Sequence, residues 1–278
     1  MSFKLVIDSC CELPKEYEND ARIEFIPFIM DVGERQVVDD ESFDQQEFLQ
    51  WLAECPQCPK SSCPSPERYM QSFDSGGADD IYVITISSKL SGSYNSAMLA
   101  KQMYLEKQQK NIHVCDSEAA VAGEGRIALK LLELAEQGLP FAEVAQRLDA
   151  FRDEARTYFV LDNLETLRKN GRLTGVKALV ASTLCIKPVM GADKGTIIQK
   201  CQAIGIKKAL AKMVDIVIKE RPDALVERLL IAHCNCLERA QEVKKLLEEK
   251  ANYKEIVIVS CKGLSTMYAN DGGVVIGV

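Results

Sequence analysis

The chain has 278 residues, 47% apolar and 27% charged, and carries a net charge of -7. That length accommodates two domains, and the acidic balance argues against a nucleic-acid groove as the main surface. No apolar run approaches the ~18 residues of a membrane span, and the opening MSFKLVIDS leads straight into a strand with no export signal, so a cytoplasmic location without an anchor is expected.

The first elements are KLVIDS, a short buried strand opening onto a polar loop, and IEFIPFIM, a second apolar run. FDQQEFLQWLAEC sets Phe43, Phe48, Leu49 and Leu52 at roughly helical spacing. PSPERYMQSFDS has the serine and proline start of a helix. IYVITI (81–86) is a buried strand, followed by a loop carrying Ser87, Ser88, Ser91, Ser93 and Tyr94 around one glycine, and then by a helix. NIHVCDS is another strand, AAVAGEGRIALKLLELAEQG a helix stopped by Gly138, and LPFAEVAQRLDAFRDEA a further helix. Strands alternating with helices predict a three-layer α/β/α unit with a mostly parallel sheet over residues 1–155.

The pattern changes after that. RTYFVLD reads as a strand, LETLRKNG as a short helix ended by Gly171, and VKALVASTLC as a helix. IKPVMGADKGTIIQKCQA, with Asp193-Lys194-Gly195 between two apolar segments, reads as a hairpin. The remainder alternates helix, strand, helix, strand, which predicts a smaller α+β domain with a mixed sheet over 156–278.

Ligands of open parallel sheets bind beyond the carboxyl ends of the strands. Three strand ends here carry acid, hydroxyl or thiol groups: Asp8-Ser9-Cys10-Cys11, Ser87 to Ser93, and Asp116-Ser117. If those strands are neighbours, the loops line one crevice, and the helix start after Ser91 offers backbone N–H groups to a carboxylate or phosphate. Alternatively, such serines only cap helices and satisfy turns. Arg168, Lys169 and Arg172 cluster at a helix end and supply positive charge, although basic residues there also complement the helix dipole.

Catalytic patterns are missing. The serine loop is no Walker loop, DSCCELP lacks the glycines of a dinucleotide fingerprint, and there is no GxSxG elbow. His113 and His233 are the two histidines, too few for the usual general base or for zinc-hydrolase motifs. The eleven cysteines are expected to be reduced, with Cys115, Cys185, Cys201 and Cys234 as small core residues. Cys55 and Cys58, with Cys63 nearby, have the spacing of half a zinc site, but prolines at 56, 59 and 64 suggest a stiff loop instead. Neither metal nor cofactor is expected.

Taken together, VIDSCCELP, KSSCPSP, ITISSKLSGSYNSA, VCDSEAAVAGEG and DNLETLRKNGRLTG resemble the DegV family, bacterial proteins that bind fatty acids. The serine loop and the NGRL segment are specific together, whereas VIDS alone is not. The resemblance implies a two-domain DegV-like fold with a long-chain fatty acid buried between the domains, its carboxylate held by hydroxyls of the first. In some relatives a separate ATP-dependent fatty acid kinase then makes an acyl phosphate. By motif, the hydroxyl-bearing loop KSSCPSP puts Ser61 where the family usually has threonine, with Ser62 beside it, and LSG makes Ser91 the main carboxylate-facing serine. Arg172 matches the arginine of the family's GGR segment.

Several positions depart from the family pattern. Cys63 stands for a common glutamine, Asn170 for the first glycine of GGR and Glu12 for an aspartate. The family's HxGPG segment is NDGGV here, with Asn270 at the histidine, Gly272 at the first glycine, Gly273 at the proline and Val274 at the second glycine. That change bears on kinase coupling rather than on lipid binding. The expected function is a non-catalytic fatty-acid carrier that presents its lipid to a kinase subunit. The alternatives are a phosphotransferase-like enzyme acting on a small carboxylate or ketone, or a lipid sensor or store without kinase coupling.

Overall fold

The computed structural model describes residues 2–174, 185–222 and 228–278, so the helix expected over VKALVASTLC lies outside the described residues apart from Cys185. In chain order the first half runs β1 (Phe3–Asp8), β2 (Ile23–Ile26), β3 (Ile29–Val32), β4 (Arg35–Val38), α1 (Gln45–Glu54), β5 (Lys60–Ser62), α2 (Pro66–Asp74), β6 (Asp80–Thr85), α3 (Ser93–Leu105), β7 (Asn111–Asp116), α4 (Ala122–Ala135) and α5 (Phe141–Glu154). It continues as β8 (Thr157–Val160), α6 (Glu165–Lys169), β9 (Ile186–Asp193), β10 (Thr196–Ile204), α7 (Ile206–Glu220), β11 (Arg228–His233), α8 (Leu237–Lys250), β12 (Glu255–Ser260), α9 (Gly263–Ala269) and β13 (Val274–Gly277).

The first sheet has the order β2-β1-β6-β7, and all its pairs are parallel. Its central strands β1 and β6 are buried on both faces, as their nearly unbroken apolar runs require, while the edge strands β2 and β7 are partly exposed. Val6, Ile81, Val83, Ile112 and Val114 pack against Tyr69 and Phe73 of α2 and Ala97 and Ala100 of α3. Leu5, Ile7, Tyr82, Ile84 and Cys115 face α4 and α5 on the other side. Ser65 caps α2 by accepting the Arg68 N–H, and Pro66 takes the first helical position.

The second sheet has six strands in the order β10-β9-β8-β13-β11-β12; its β11–β12 pair is parallel and the rest are antiparallel. One face carries α7 and α8 through Met213, Val214, Val243 and Leu247. The other face, through Phe159, Leu230, Ala232 and Val275, joins the same core as α4 and the first sheet. Helix α4 is thus a shared middle layer. The hairpin expected at Asp193-Lys194-Gly195 forms, with Lys194 (φ 45°) and Gly195 (φ 78°) both in the left-handed region a tight two-residue turn demands.

Pro27 breaks IEFIPFIM in two. Its first part is β2 of the first sheet, while Ile29–Val32 leaves to build a third, small sheet of order β4-β3-β5. Two expectations are corrected here. KSSCPSP is not simply a loop, because Lys60–Ser62 pairs with β3 as a strand. Cys185 is exposed and Cys201 only half-buried, whereas Cys115 and Cys234 are core residues as expected. Cys185 sits in the turn before β9 and Cys201 on edge strand β10, places the sheets leave partly uncovered.

The shared layer depends on close backbone approach. A Cβ added at Gly123 would lie 2.0 Å from the Thr157 hydroxyl, and one at Gly277 would lie 2.1 Å from the Ala122 carbonyl oxygen. Glycine therefore lets the first turn of α4 touch β8 and β13 directly. Gly123→Ala is expected to cost about 1–3 kcal/mol of stability by forcing the two apart. Urea unfolding checks this: a lowered midpoint is the expected outcome, and an unchanged one would mean the layers have slack.

Candidate functional site

Strands β1, β6 and β7 are adjacent, so the three polar loops do converge at the carboxyl edge of the first sheet. They roof a cavity whose floor is the second sheet. Phe159, with Thr157 and Leu161 on either side, faces the cavity from β8 and its end, while Tyr158 and Val160 point to α7 and α8, the alternation of a strand. Ala192 and Ile197 of the hairpin, Val275 of β13, and Leu264, Ser265 and Tyr268 of α9 complete it. The cavity holds about 1020 Å³ of empty space, mouth included, and most of the side chains around it are apolar.

Polar groups gather toward one end. Ser61, Cys63, Ser91, Arg172 and Tyr268 all line the cavity, so three of the four residues singled out from sequence are brought together. Ser62 is not among the lining residues: the pleat of β5 leaves it exposed while its neighbour Ser61 is half-buried. The Ser61 hydroxyl lies 3.4 Å from the Tyr268 hydroxyl. Ser91 Oγ accepts the Ser93 N–H at 3.3 Å, which leaves its own O–H to donate into the cavity. Arg172 donates from Nε to the Leu90 carbonyl at 3.1 Å, and its Nη1 donates to the carbonyl of Asn170. Asn170 in turn donates to the Pro59 carbonyl at 3.0 Å, just ahead of β5.

The other hydroxyls of the serine loop serve the scaffold. Ser87 is buried and donates to the Gly195 carbonyl at 3.1 Å, fastening the hairpin turn to the loop. Ser93 is buried and donates to Asp8 at 2.6 Å, and its oxygen lies 2.7 Å from the Tyr69 hydroxyl. The acids of the strand ends do not line the crevice, contrary to expectation. Asp8 is fully buried and also accepts the N–H groups of Ile86 (2.9 Å) and Cys10 (3.2 Å), so it staples the loops from beneath. Asp116 accepts from Ser88 and Glu118 in the same way.

Tyr268 was not singled out from sequence, nor were Leu264 and Ser265. The one available signal was the i, i+4 spacing of Leu264 and Tyr268 ahead of the NDGGV segment. Asp39 builds their helix: its buried carboxylate accepts the N–H groups of Gly263 (2.7 Å) and Leu264 (2.8 Å) at the start of α9. Asn270, just past α9, lies with Nδ2 at 3.4 Å from Thr166 Oγ1 of α6 and from the Tyr268 carbonyl. Its φ of 54° is one that asparagine tolerates. Val121 is a different matter. A β-branched residue at φ 57° on the cavity wall is strained, and the first turn of α4 holds it there through the Gly125 N–H. Cys58 Sγ accepts from Asn170 at 3.5 Å.

The family model for the uncharacterised DegV family matches residues 2–278. A DegV domain-containing protein of Streptococcus pneumoniae is 33% identical over 282 residues, covering 100% of this chain and 99% of that protein. A DegV-family crystal structure from Ruminococcus gnavus, refined with vaccenic acid, is 48% identical with a TM-score of 0.96 and full coverage of both chains. The Streptococcus pneumoniae fatty acid kinase B3 protein, loaded with linoleic acid, is 32% identical with a TM-score of 0.88, covering 100% of this chain and 99% of that one. An all-parallel and a mixed sheet enclosing an apolar cavity with hydroxyl groups in its lining define a two-domain α/β architecture. The chain belongs to the DegV family.

Beneath the cavity roof lies a cluster of buried carboxyl groups. Burial pushes Glu12 up to about 8 and Asp8 up to about 6, and Glu124, buried beside Asp8, well above the carboxylate range. An acid whose pKa is raised on folding contributes stability fully present below its unfolded pKa and lost as the pH rises through its folded one. Stability should therefore fall between pH 4.5 and about 8, the Glu12 window, with Asp8 adding its part between 3.8 and about 6. Glu12→Gln, which can still accept the Lys262 N–H, should flatten the upper part of this fall. Urea unfolding at a series of pH values measures it, and an unaltered slope in the variant would assign the effect elsewhere.

Proposed function

We propose that this protein binds one long-chain fatty acid between its two sheets and presents the carboxylate to an ATP-dependent fatty acid kinase subunit, without catalysis of its own. The carrying observation is the largely apolar cavity with Ser61, Ser91 and Tyr268 hydroxyls and Arg172 in its lining. The relatives loaded with vaccenic and linoleic acid support the same reading. Burying about fifteen methylenes is worth on the order of 12 kcal/mol before chain ordering and association are subtracted. A hydroxyl-to-carboxylate bond nets only ~1.5–3 kcal/mol. The tail therefore sets affinity and the hydroxyls set direction. We divide the chain near residue 155, between the helix that closes the first unit and the strand that opens the second sheet. A donor to an ATP-consuming enzyme works where ATP is, which supports a cytoplasmic location. Among the described residues no helix is long and apolar enough to cross a membrane.

Native mass spectrometry after gentle purification tests the reading. A co-purifying species of fatty-acid mass is expected, and an empty protein that ignores added fatty acid would overturn it. Within the site, Ser91→Ala should weaken binding of the acid by ~1–2 kcal/mol and barely change that of its methyl ester. Tyr268→Phe should show the same selectivity if the phenol hydroxyl reaches the headgroup through Ser61. Equal losses for acid and ester would confine either residue to shaping the pocket.

Asn270 favours a variation on this function. Its side chain is engaged between α6 and α9 and takes up no proton as histidine does. A carrier whose coupling to the kinase is altered is the corresponding reading. Reconstituted acyl-phosphate formation with ATP and candidate kinase subunits from the same cell decides it. With turnover, Arg172→Ala should reduce it more than it reduces lipid binding. Loaded protein that neither binds nor supports any such subunit would leave storage, transport or sensing.

A further inference from the structure

Away from the cavity, β7 forms an open edge of the first sheet, and α5 lies across its face. His113 and Cys115 are two apart on β7 and so share that face, and Asp149 reaches them from α5. A ring nitrogen of His113, the Cys115 sulfur and a carboxylate oxygen of Asp149 all lie within 4.8 Å of one another. His113 Nε2 and Asp149 Oδ1 are 3.2 Å apart, while tetrahedral ligands at zinc–nitrogen and zinc–sulfur distances stand about 3.5 Å from each other. Among the described residues this is the one cluster of three such groups that converges, and none of the three lines the lipid cavity.

We propose that His113, Cys115 and Asp149 form a binding site for a zinc-class divalent cation, with solvent in the fourth position. One thiolate, one imidazole and one carboxylate make a borderline-soft set that suits zinc and excludes the all-oxygen preference of calcium or magnesium. The cysteine is buried at the back, while the His113 side chain is 19% and the Asp149 side chain 40% exposed, so an ion reaches the cluster from the solvent side. Burial pushes the Cys115 thiol up, so without an ion the sulfur keeps its proton. Binding releases that proton to solvent, and the thiolate and the Asp149 carboxylate then balance the two positive charges. Arg152 stands nearby and opposes the cation, although its guanidinium is engaged with the Asp116 carbonyl (3.1 Å) and Asp153 (2.8 Å).

Cobalt(II) added to the full chain provides the test, because a Co–thiolate bond gives charge-transfer absorption and a tetrahedral site gives intense ligand-field bands. Both should appear, and excess zinc should erase them. Cys115→Ser should remove the charge-transfer band, and His113→Ala and Asp149→Asn should each weaken cobalt binding by more than ~10-fold. Arg152→Gln should tighten it. A wild-type protein without these bands overturns the proposal, as does a charge-transfer band of full strength in Cys115→Ser, which would put the metal on other thiols. Because Cys115 is a core residue, its variant counts only if it keeps the wild-type circular dichroism. If it does not, undiminished cobalt affinity in both the His113 and Asp149 variants overturns the site. Fatty-acid loading measured on the same samples reports the lipid cavity separately, so the two readings stand or fall apart.

Discussion

Asp8 is the point on which the hydroxyl-bearing end of the cavity depends. Its carboxyl sits at the last residue of β1, out of water, and is held by two backbone N–H groups and the Ser93 hydroxyl. Through those bonds it fixes the loop after its own strand, the serine loop after β6, and the start of α3. A buried acceptor that lost one partner would lose roughly the desolvation cost of that group, so the loops are set as a unit. Ser91 is thereby presented to the cavity by a framework that Ser91 itself does little to build.

Five layers then stack in order: α2 and α3, the parallel sheet, α4 with α5, the mixed sheet, and α7 with α8. The middle layer is narrow because glycine contacts let α4 lie on β8 and β13 without intervening side chains. Where α4 ends, the sheets are no longer bridged, and the cavity occupies that gap. Its apolar lining is an extension of the shared core rather than a separate device. That explains why a strained residue, Val121, sits at the transition from helix to cavity wall.

Much of this was legible in the sequence where the signal is local. Alternating strands and helices, the Ser65-Pro66 helix start and the Asp193-Lys194-Gly195 hairpin each follow from the chemistry of a few adjacent residues, and the structure contains them. Ser61, Ser91 and Arg172, singled out by motif, line the cavity. What escaped depends on distant partners. β5 is three residues long and carries no periodicity; it is a strand only because β3 pairs with it. β13, a central strand of the second sheet, is four residues long, too short to carry a pattern of its own. Tyr268 becomes a site residue only when Asp39, from far upstream, caps its helix. Asp8 looked like a crevice acid, and its burial is a property of the whole sheet end.

Across the seam between the two halves, Ser87 reaches the Gly195 carbonyl, Arg172 the Leu90 carbonyl and Asn170 the Pro59 carbonyl, while the Asp39 carboxylate accepts the Gly263 and Leu264 N–H groups and Glu12 accepts that of Lys262. The first three end on backbone oxygens that cannot titrate, whereas the others end on buried carboxyl groups that can. For any molecule enclosed in the seam, escape that requires the halves to part must open fasteners of both kinds. Residence time would then shift with pH even for an occupant that has no titratable group of its own.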